Sequence, residues 1–323
     1  MTIEPIPVGI SACLLGNPDN GDGEHQRLAF TAEALAPYLG FESVYPEMAI
    51  ALSVLRPALR LLHAGEGTIT LCASNGSPRD VTHKMDAISV EKASQLQHLC
   101  GYIACSTSPR CGIDRVKVDE EPQRRAIKSG VALFTRELMR QMPWLPIEDD
   151  DRLHDPSVRE NFIGRVYALH ELQQLWRQGL SRGALIGFHS RYKLLLLAHS
   201  QPAYRELGRF VADIDQWASL EAFAKAYRLK LMKLLAFPAT RRNHTNVLMH
   251  VQGYFRGQLN TQQRQELTQL IDRYRQGLQP LLAPITLLKH YMTEYPDAYL
   301  SQQRYFESYP DALRLRNGHS CSD

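Results

Sequence analysis

The chain has 323 residues, 44% of them hydrophobic, and a formal net charge of +3. That length supports two hydrophobic cores, and no run of roughly 18 apolar residues is present to span a membrane as a helix. The opening Met-Thr-Ile-Glu-Pro-Ile-Pro has neither a basic start nor an apolar core, so the expectation is a cytoplasmic protein rather than an exported one. Six cysteines, at positions 13, 72, 100, 105, 111 and 321, do not resemble a disulfide scaffold in a chain this long. They point to metal binding, catalysis or burial. Charge is unevenly spread, with a balance of −5 over residues 1–152 and of +8 over residues 153–323. A basic half suits a polyanion, and equally suits a solvated helical surface.

In chain order, β-type runs lie at Val8–Cys13, Phe41–Tyr45, Ala58–His63, Thr68–Ala73, Tyr102–Ser106 and Ile113–Val118. Helical stretches lie at Ala29–Ala36, Val81–Leu99 and Arg124–Arg140. Strands alternating with helices predict an α/β domain with a mostly parallel sheet. Gly65-Glu66-Gly67 between two apolar runs predicts a hairpin, and so one antiparallel edge. The domain boundary is expected at Met142–Leu153. There Pro143 and Pro146 flank Trp144-Leu145, and Glu148-Asp149-Asp150-Asp151 reads as an acidic run that stays solvated between packed units. Beyond it come helical candidates at Ser157–Leu180, Arg182–His199, Ala203–Val211, Leu220–Ala236, Thr240–Leu259, Gln262–Gly277 and Ile285–Tyr295. Gly, Pro, Ser and Asn breakers separate them, and Asn260 or Thr261 fits an N-cap. The expected fold class is therefore an α/β N-terminal domain, residues 5–146, followed by an all-α C-terminal domain, residues 153–318.

Cys13, Tyr45, Glu47, Ser108 and Cys111 each lie at or just beyond the end of a β-type run. If those runs are parallel strands, the five residues converge at the carboxyl edge of the sheet, where open α/β folds bind ligands. Cys72 and Cys100 read as buried small hydrophobes, and Cys321 as exposed in a polar tail. The spacing of Cys100, Cys105 and Cys111 is not the paired spacing of zinc sites. Cys13 and Cys111, each followed by glycine-containing loop sequence, read as metal ligands or as packing. Thiolates are the usual ligands of iron–sulfur clusters; Glu47 beside one could serve as general acid or base, and Ser108 could position a proton or a water. Against that, Glu47 after Pro46 also suits the first turn of a helix, and Ser108 before Pro109 also suits a turn. In the helical half, Arg242, Asn246 and His250 recur at i+4 spacing on one face, and His189 and Lys193 on another. Such side chains contact phosphates and stack on splayed bases, or simply line a solvated face.

Longer motifs bring a resemblance. Ser11–Gly16, Asp22-Gly23-Glu24-His25, Tyr45-Pro46-Glu47, Cys100-Gly101-Tyr102 and Ser108-Pro109-Arg110-Cys111-Gly112 follow the pattern of the thiouracil desulfidase family. Leu153–Pro156, Arg159–Phe162, Phe188–Lys193 and Arg241–His244, continuing through Val247–Phe255, follow the helical partner domain of its two-domain bacterial version. Over residues 5–318 the chain resembles that version, a DUF523-like domain joined to a DUF1722-like domain, which removes sulfur from 4-thiouridine in transfer RNA.

The resemblance implies a [4Fe–4S] cluster on three cysteines, of which Cys13 and Cys111 carry over, with Glu47 and Ser108 assisting hydrolytic release of sulfide. It implies transfer RNA as partner, contacted by His189, Arg191, Lys193, Arg241, Arg242, His244 and His250; no membrane and no protein partner is inferred. Tyr45 stands at the family's remaining cysteine position, Arg110 replaces a serine, and Asn17-Pro18-Asp19-Asn20 replaces a basic loop. A phenolate is a hard ligand and matches a cubane poorly; Cys105 is the nearby spare thiol. Two functions stay open: a desulfidase acting on 4-thiouridine in transfer RNA, and a non-catalytic, cluster-free RNA-binding relative.

Overall fold

The computed structural model describes residues 5–15, 35–45, 59–63, 69–73, 79–80, 82–106, 108, 112–113, 117–119, 127–128, 132–310 and 313. The chain divides into two compact units, residues 1–155 and 156–323. The first is α/β with a parallel four-stranded sheet, and the second is all helical.

In the first unit the strands are β1 (Ile6–Ser11), β2 (Leu39–Val44), β3 (Leu59–His63), β4 (Ile69–Ala73) and β5 (Arg79–Asp80). They continue as β6 (Gly101–Ala104), β7 (Lys117–Asp119), β8 (Ile127–Lys128) and β9 (Ile147–Asp149). Helix α1 (Thr82–Gln95) precedes β6, and helix α2 (Leu133–Gln141) precedes β9. One sheet runs β2-β1-β6-β9 with every pairing parallel. Parallel neighbours need a crossover, and α2 supplies it between β6 and β9. Strand β1 holds the centre: Ile6, Val8 and Ile10 are buried, as are Tyr102, Ile103 and Ala104 of β6. Strands buried on both faces read as continuous apolar runs. Helix α1 buries Met85, Ser89 and Ala93, a stripe at i+4 spacing, and packs against α2.

Gly9 is there for close approach: a Cβ on it would come within 2.7 Å of Leu99 Cδ1 and 2.8 Å of Tyr102 Cδ2.

A second sheet runs β5-β4-β3-β7-β8. The hairpin expected around residues 65–67 appears as antiparallel pairing of β3 with β4, in register from Leu59↔Ala73 to His63↔Ile69. Its antiparallel pairs are therefore not the edge of the parallel sheet but a separate layer of pairing. The helix expected from Arg124 begins only at Leu133, because Ile127–Lys128 pairs with β7 instead. Of the expected helix at Ala29–Ala36, residues 29–34 lie outside the described residues.

The acidic run at 148–151 needs correction. It is not a solvated linker: Glu148 and Asp149 end strand β9, and Glu148, Asp149 and Asp150 are buried. The cost of burying carboxylates is offset by hydrogen bonds to them. Asp150 Oδ1 accepts from Ser106 N at 2.7 Å, Asp151 Oδ2 accepts from Ser106 Oγ at 2.9 Å, and Glu148 pairs with Arg152 at 3.3 Å.

The second unit contains α3 (Pro156–Gln178), α4 (Arg182–His199), α5 (Gln201–Ala212), α6 (Leu220–Leu235), α7 (Arg241–Tyr254), α8 (Thr261–Arg275) and α9 (Leu282–Glu294). Helix α4 is the hub, packing against α3, α5, α6 and α7, and its buried residues run almost all round it. The starts are set locally. Ser181, Ser200, Ser219 and Thr240 each cap a helix through the side-chain oxygen, and Asn260 with Gln263 forms a full capping box. Aromatic rings fill the interior: Phe188 stacks on Tyr192 with centroids 4.4 Å apart, and Phe210 stacks on Phe223 at 4.8 Å.

Candidate functional site

The parallel pairing puts the carboxyl ends of β2, β1, β6 and β9 on one edge. From β1 the chain steps first to β2 on one side and later to β6 on the other, so the order reverses beside β1. Such a switch point opens a crevice at the carboxyl ends, where α/β sheets bind ligands. Strand β1 ends at Ser11 and runs into a 3-10 turn, Ala12–Leu15, that carries Cys13. Ser11 pairs in register with Val44, and Tyr45 follows directly. Backbone geometry thus brings Cys13 and Tyr45 to neighbouring strand ends, which lie about 4.8 Å apart across a sheet. Tyr45 is half-buried. Glu47 and Cys111 fall outside the described residues, as does the side chain of Cys13.

On the other side of β1, the segment after β6 is tightly folded. Cys105 and Ser108 are buried, Ser108 N donates to Cys105 O at 3.1 Å, and Gly112 N donates to Ser108 O at 2.9 Å. Ser106 is anchored to Asp150 and Asp151 from the end of β9, as above. Two polar features of this edge escape a sequence reading. The Ser106–Asp150–Asp151 network is hidden inside what looks like a linker; its signal is the apolar Leu145-Pro146-Ile147 leading straight into the carboxylates. Ser11 Oγ is fully buried at the end of β1, with no hydrogen-bond partner among the described residues. A buried hydroxyl without a partner is uncommon and marks a place for one.

Do the residues here fit a cubane on three protein thiolates? Of the three positions that the resemblance implies, two, Cys13 and Cys111, are cysteines. The third is a phenol at the end of β2, on the strand beside that of Cys13. At those three positions the donor set is one thiolate short of what a cubane takes.

The basic residues of the helical unit divide into enclosed and exposed groups. His189 and His244 belong to the interior. Nδ1 of His189 lies 3.2 Å from the Tyr227 hydroxyl, and Nδ1 of His244 lies 3.0 Å from the Tyr305 hydroxyl. Burial, helped by the Lys193 charge, pushes the His189 imidazole down to about 4, so it is neutral at pH 7. Neither ring presents itself at the surface as the basic-face expectation requires. Arg191 is tied to Glu171 at 2.8 Å. Glu171 also accepts from Arg304 Nε at 2.8 Å and from the Tyr192 hydroxyl at 2.9 Å. Burial pushes its carboxyl up, but Arg304 and Arg191 more than reverse this and hold it below the usual range. Arg241 lies against Gly277, with Nη1 3.1 Å from where a Cβ would stand. Lys193 is half-buried, whereas Arg242, Asn246 and His250 are exposed in one row on α7. Tyr254 extends that row, edge-on to His250 at 5.7 Å and stacked on Tyr299 at 5.7 Å.

Against known proteins, residues 8–150 match the 2-thiouracil desulfurase family. Residues 193–310 match DUF1722, a family described as proteins of unknown function. Over 153 residues, 47% of this chain and 90% of the relative, the protein is 59% identical to the uncharacterized protein YbgA of Escherichia coli (strain K12). A solved structure of a [4Fe–4S]-dependent thiouracil desulfidase, TudS, aligns at 22% identity with a TM-score of 0.36, covering 46% of this chain and 94% of that one. With both domain matches in chain order and the close YbgA relative, the chain belongs to the two-domain family that joins a 2-thiouracil desulfurase domain to a DUF1722 domain.

Proposed function

We propose that the protein removes sulfur from a thiolated uracil in RNA, with 4-thiouridine of transfer RNA as the substrate. The observation that carries this is the match of residues 8–150 to the 2-thiouracil desulfurase family, on a sheet whose switch point brings Cys13 and Tyr45 to adjacent strand ends. In this reading Cys13 and Cys111 supply thiolates, Glu47 and Ser108 handle the proton, and the helical unit holds the RNA. Its contacts are the exposed Arg242 and His250 with Lys193, Arg191 and Arg241, within residues 153–323, whose balance is +8. Phosphate neutralisation by such residues makes affinity fall steeply with salt.

A second reading has its own observation. Tyr45 stands where a cubane needs a thiolate, which favours a cluster-free relative that binds RNA without turnover. Anaerobic reconstitution with iron and sulfide separates the two. The desulfidase reading expects a coloured, iron-containing protein that releases sulfide from 4-thiouridine in RNA, and loss of both in Cys13→Ala and Cys111→Ala. A colourless protein that takes up iron and turns over only as Tyr45→Cys assigns the second reading and names the residue responsible.

A further inference from the structure

Helix α7 carries its exposed side chains on one face. Arg242, Asn246, Met249, His250 and Tyr254 all face solvent, and at about 100° per residue they fall within about 140° of the helix circumference. Met249, at 59%, and Tyr254, at 40%, are large side chains left exposed, although a surface helix ordinarily turns such residues inward. The inward stripe of α7 is already filled by Val247, Leu248 and Val251. The helix includes Arg241 and Arg242 and has no acidic residue.

At the C-terminal end of this face the rings are arranged as a stack. Tyr254 lies against Tyr299, from the segment after α9, with the ring planes 16° apart and the centroids 5.7 Å apart. His250 meets Tyr254 edge-on, at 83° and 5.7 Å. Burial, with Asp297 and Tyr204 nearby, raises the Tyr254 phenol. Burial, with Tyr254, Tyr204 and Asp297, pushes the Tyr299 phenol up to about 12. Both rings therefore stay uncharged at neutral pH and do not repel a polyanion. Asp297 is engaged in holding the turn, accepting from Tyr299 N at 2.9 Å and from Leu300 N at 2.8 Å.

A helix face with a cation, neutral stacked rings and no acid complements a strand of phosphates and bases, because bases stack on such rings while cations meet the backbone. We propose that His250, Tyr254 and Tyr299 form a stacking platform for an unpaired base of an RNA strand, with Arg242 contacting its phosphates along the same face. The proposal rests on the reading that the helical unit holds RNA, and adds that it grips a splayed base rather than a closed duplex. In a duplex the base faces are hidden between their neighbours, so a ring stacks only where a base is unpaired.

The test is a fluorescence titration of the full chain with a short oligouridylate carrying one 2-aminopurine, and with a duplex of the same length. The expected result is that the strand binds more tightly than the duplex and that its 2-aminopurine is quenched. Tyr254→Ala should weaken strand binding about tenfold, the loss of one base stack, and remove the quenching with the salt slope unchanged. Tyr254→Leu, which keeps bulk without an aromatic face, should behave as Tyr254→Ala does, and Tyr254→Phe should behave as the unmodified chain. Arg242→Gln should instead flatten the salt slope by about one unit. Strand binding weakened by Arg242→Gln but untouched by Tyr254→Ala and Tyr299→Ala overturns the platform and leaves the RNA reading standing. A duplex bound as tightly as the strand overturns the splayed base. Binding of neither RNA to the unmodified chain overturns the RNA reading and the platform with it.

Discussion

The two units are held together by different kinds of contact. In the sheet unit, β1 is paired with β2 from 33 positions further on and with β6 from 93 further on, as in Ile6↔Leu39 and Val8↔Gly101. The carboxyl edge of its parallel sheet exists only once those distant segments meet. In the helical unit the starts, stops and buried stripes are decided within a few residues, by caps at Ser181, Ser200, Ser219, Thr240 and Asn260 and by apolar periodicity. The lesson is that a change in the sheet unit acts through tight long-range approach, and one in the helical unit through local satisfaction or core burial.

The largest effect should come from breaking the closest approach. Gly9→Val forces side-chain atoms into Leu99 and Tyr102, and overpacking of this kind costs about 3 kcal/mol. Thermal or urea unfolding should show the sheet unit destabilised while most of the helical circular-dichroism signal persists. Loss of both units together would mean that the helical unit does not stand alone.

Acid sharpens the helical side of the comparison. His189 titrates near 4 when folded against an ordinary 6.5, so the unfolded chain binds more protons between those values. Stability is then full above about pH 6.5 and falls as pH drops toward 4, by up to about 3 kcal/mol. Urea midpoints at several pH values check this, and His189→Gln should flatten that acid limb.

A smaller effect tests the buried acidic run. Asp150→Ala leaves Ser106 N without its 2.7 Å acceptor in a buried place, which costs about 2 kcal/mol. If the run were a solvated linker, chemical denaturation would register almost nothing. The smallest effect is the most local one: Asn260→Ala removes a capping box and should cost about 1 kcal/mol by the same measurement.

Much of the fold is legible in the residues themselves. Apolar alternation marks β1, β2, β3, β4 and β6 to within a few positions, and breakers with capping residues mark α4 as Arg182–His199 without error. The short strands β5, β8 and β9 are not legible, because two or three residues carry no period and form only when a partner strand arrives. The candidate site divides in the same way. Cys13 and Tyr45 can be placed at strand ends from the sequence, since a parallel sheet collects its carboxyl ends on one edge.

The sequence by itself determined the order of the longer elements, the two-domain division in charge and secondary structure, and the presence of Cys13 and Tyr45 at strand ends. These are properties of consecutive residues and of composition. Only the tertiary structure decided which polar groups are enclosed. It buried His189 against Tyr227 and Asp150 against Ser106. It also set the carboxamide of Gln303 between Ser190 O at 2.9 Å and Leu194 N at 3.2 Å, two groups that a regular helix pairs with each other. Burial depends on segments far apart along the chain, 113 residues in the case of Gln303 and Ser190. A polar residue reads the same in sequence whether water or a distant backbone group satisfies it.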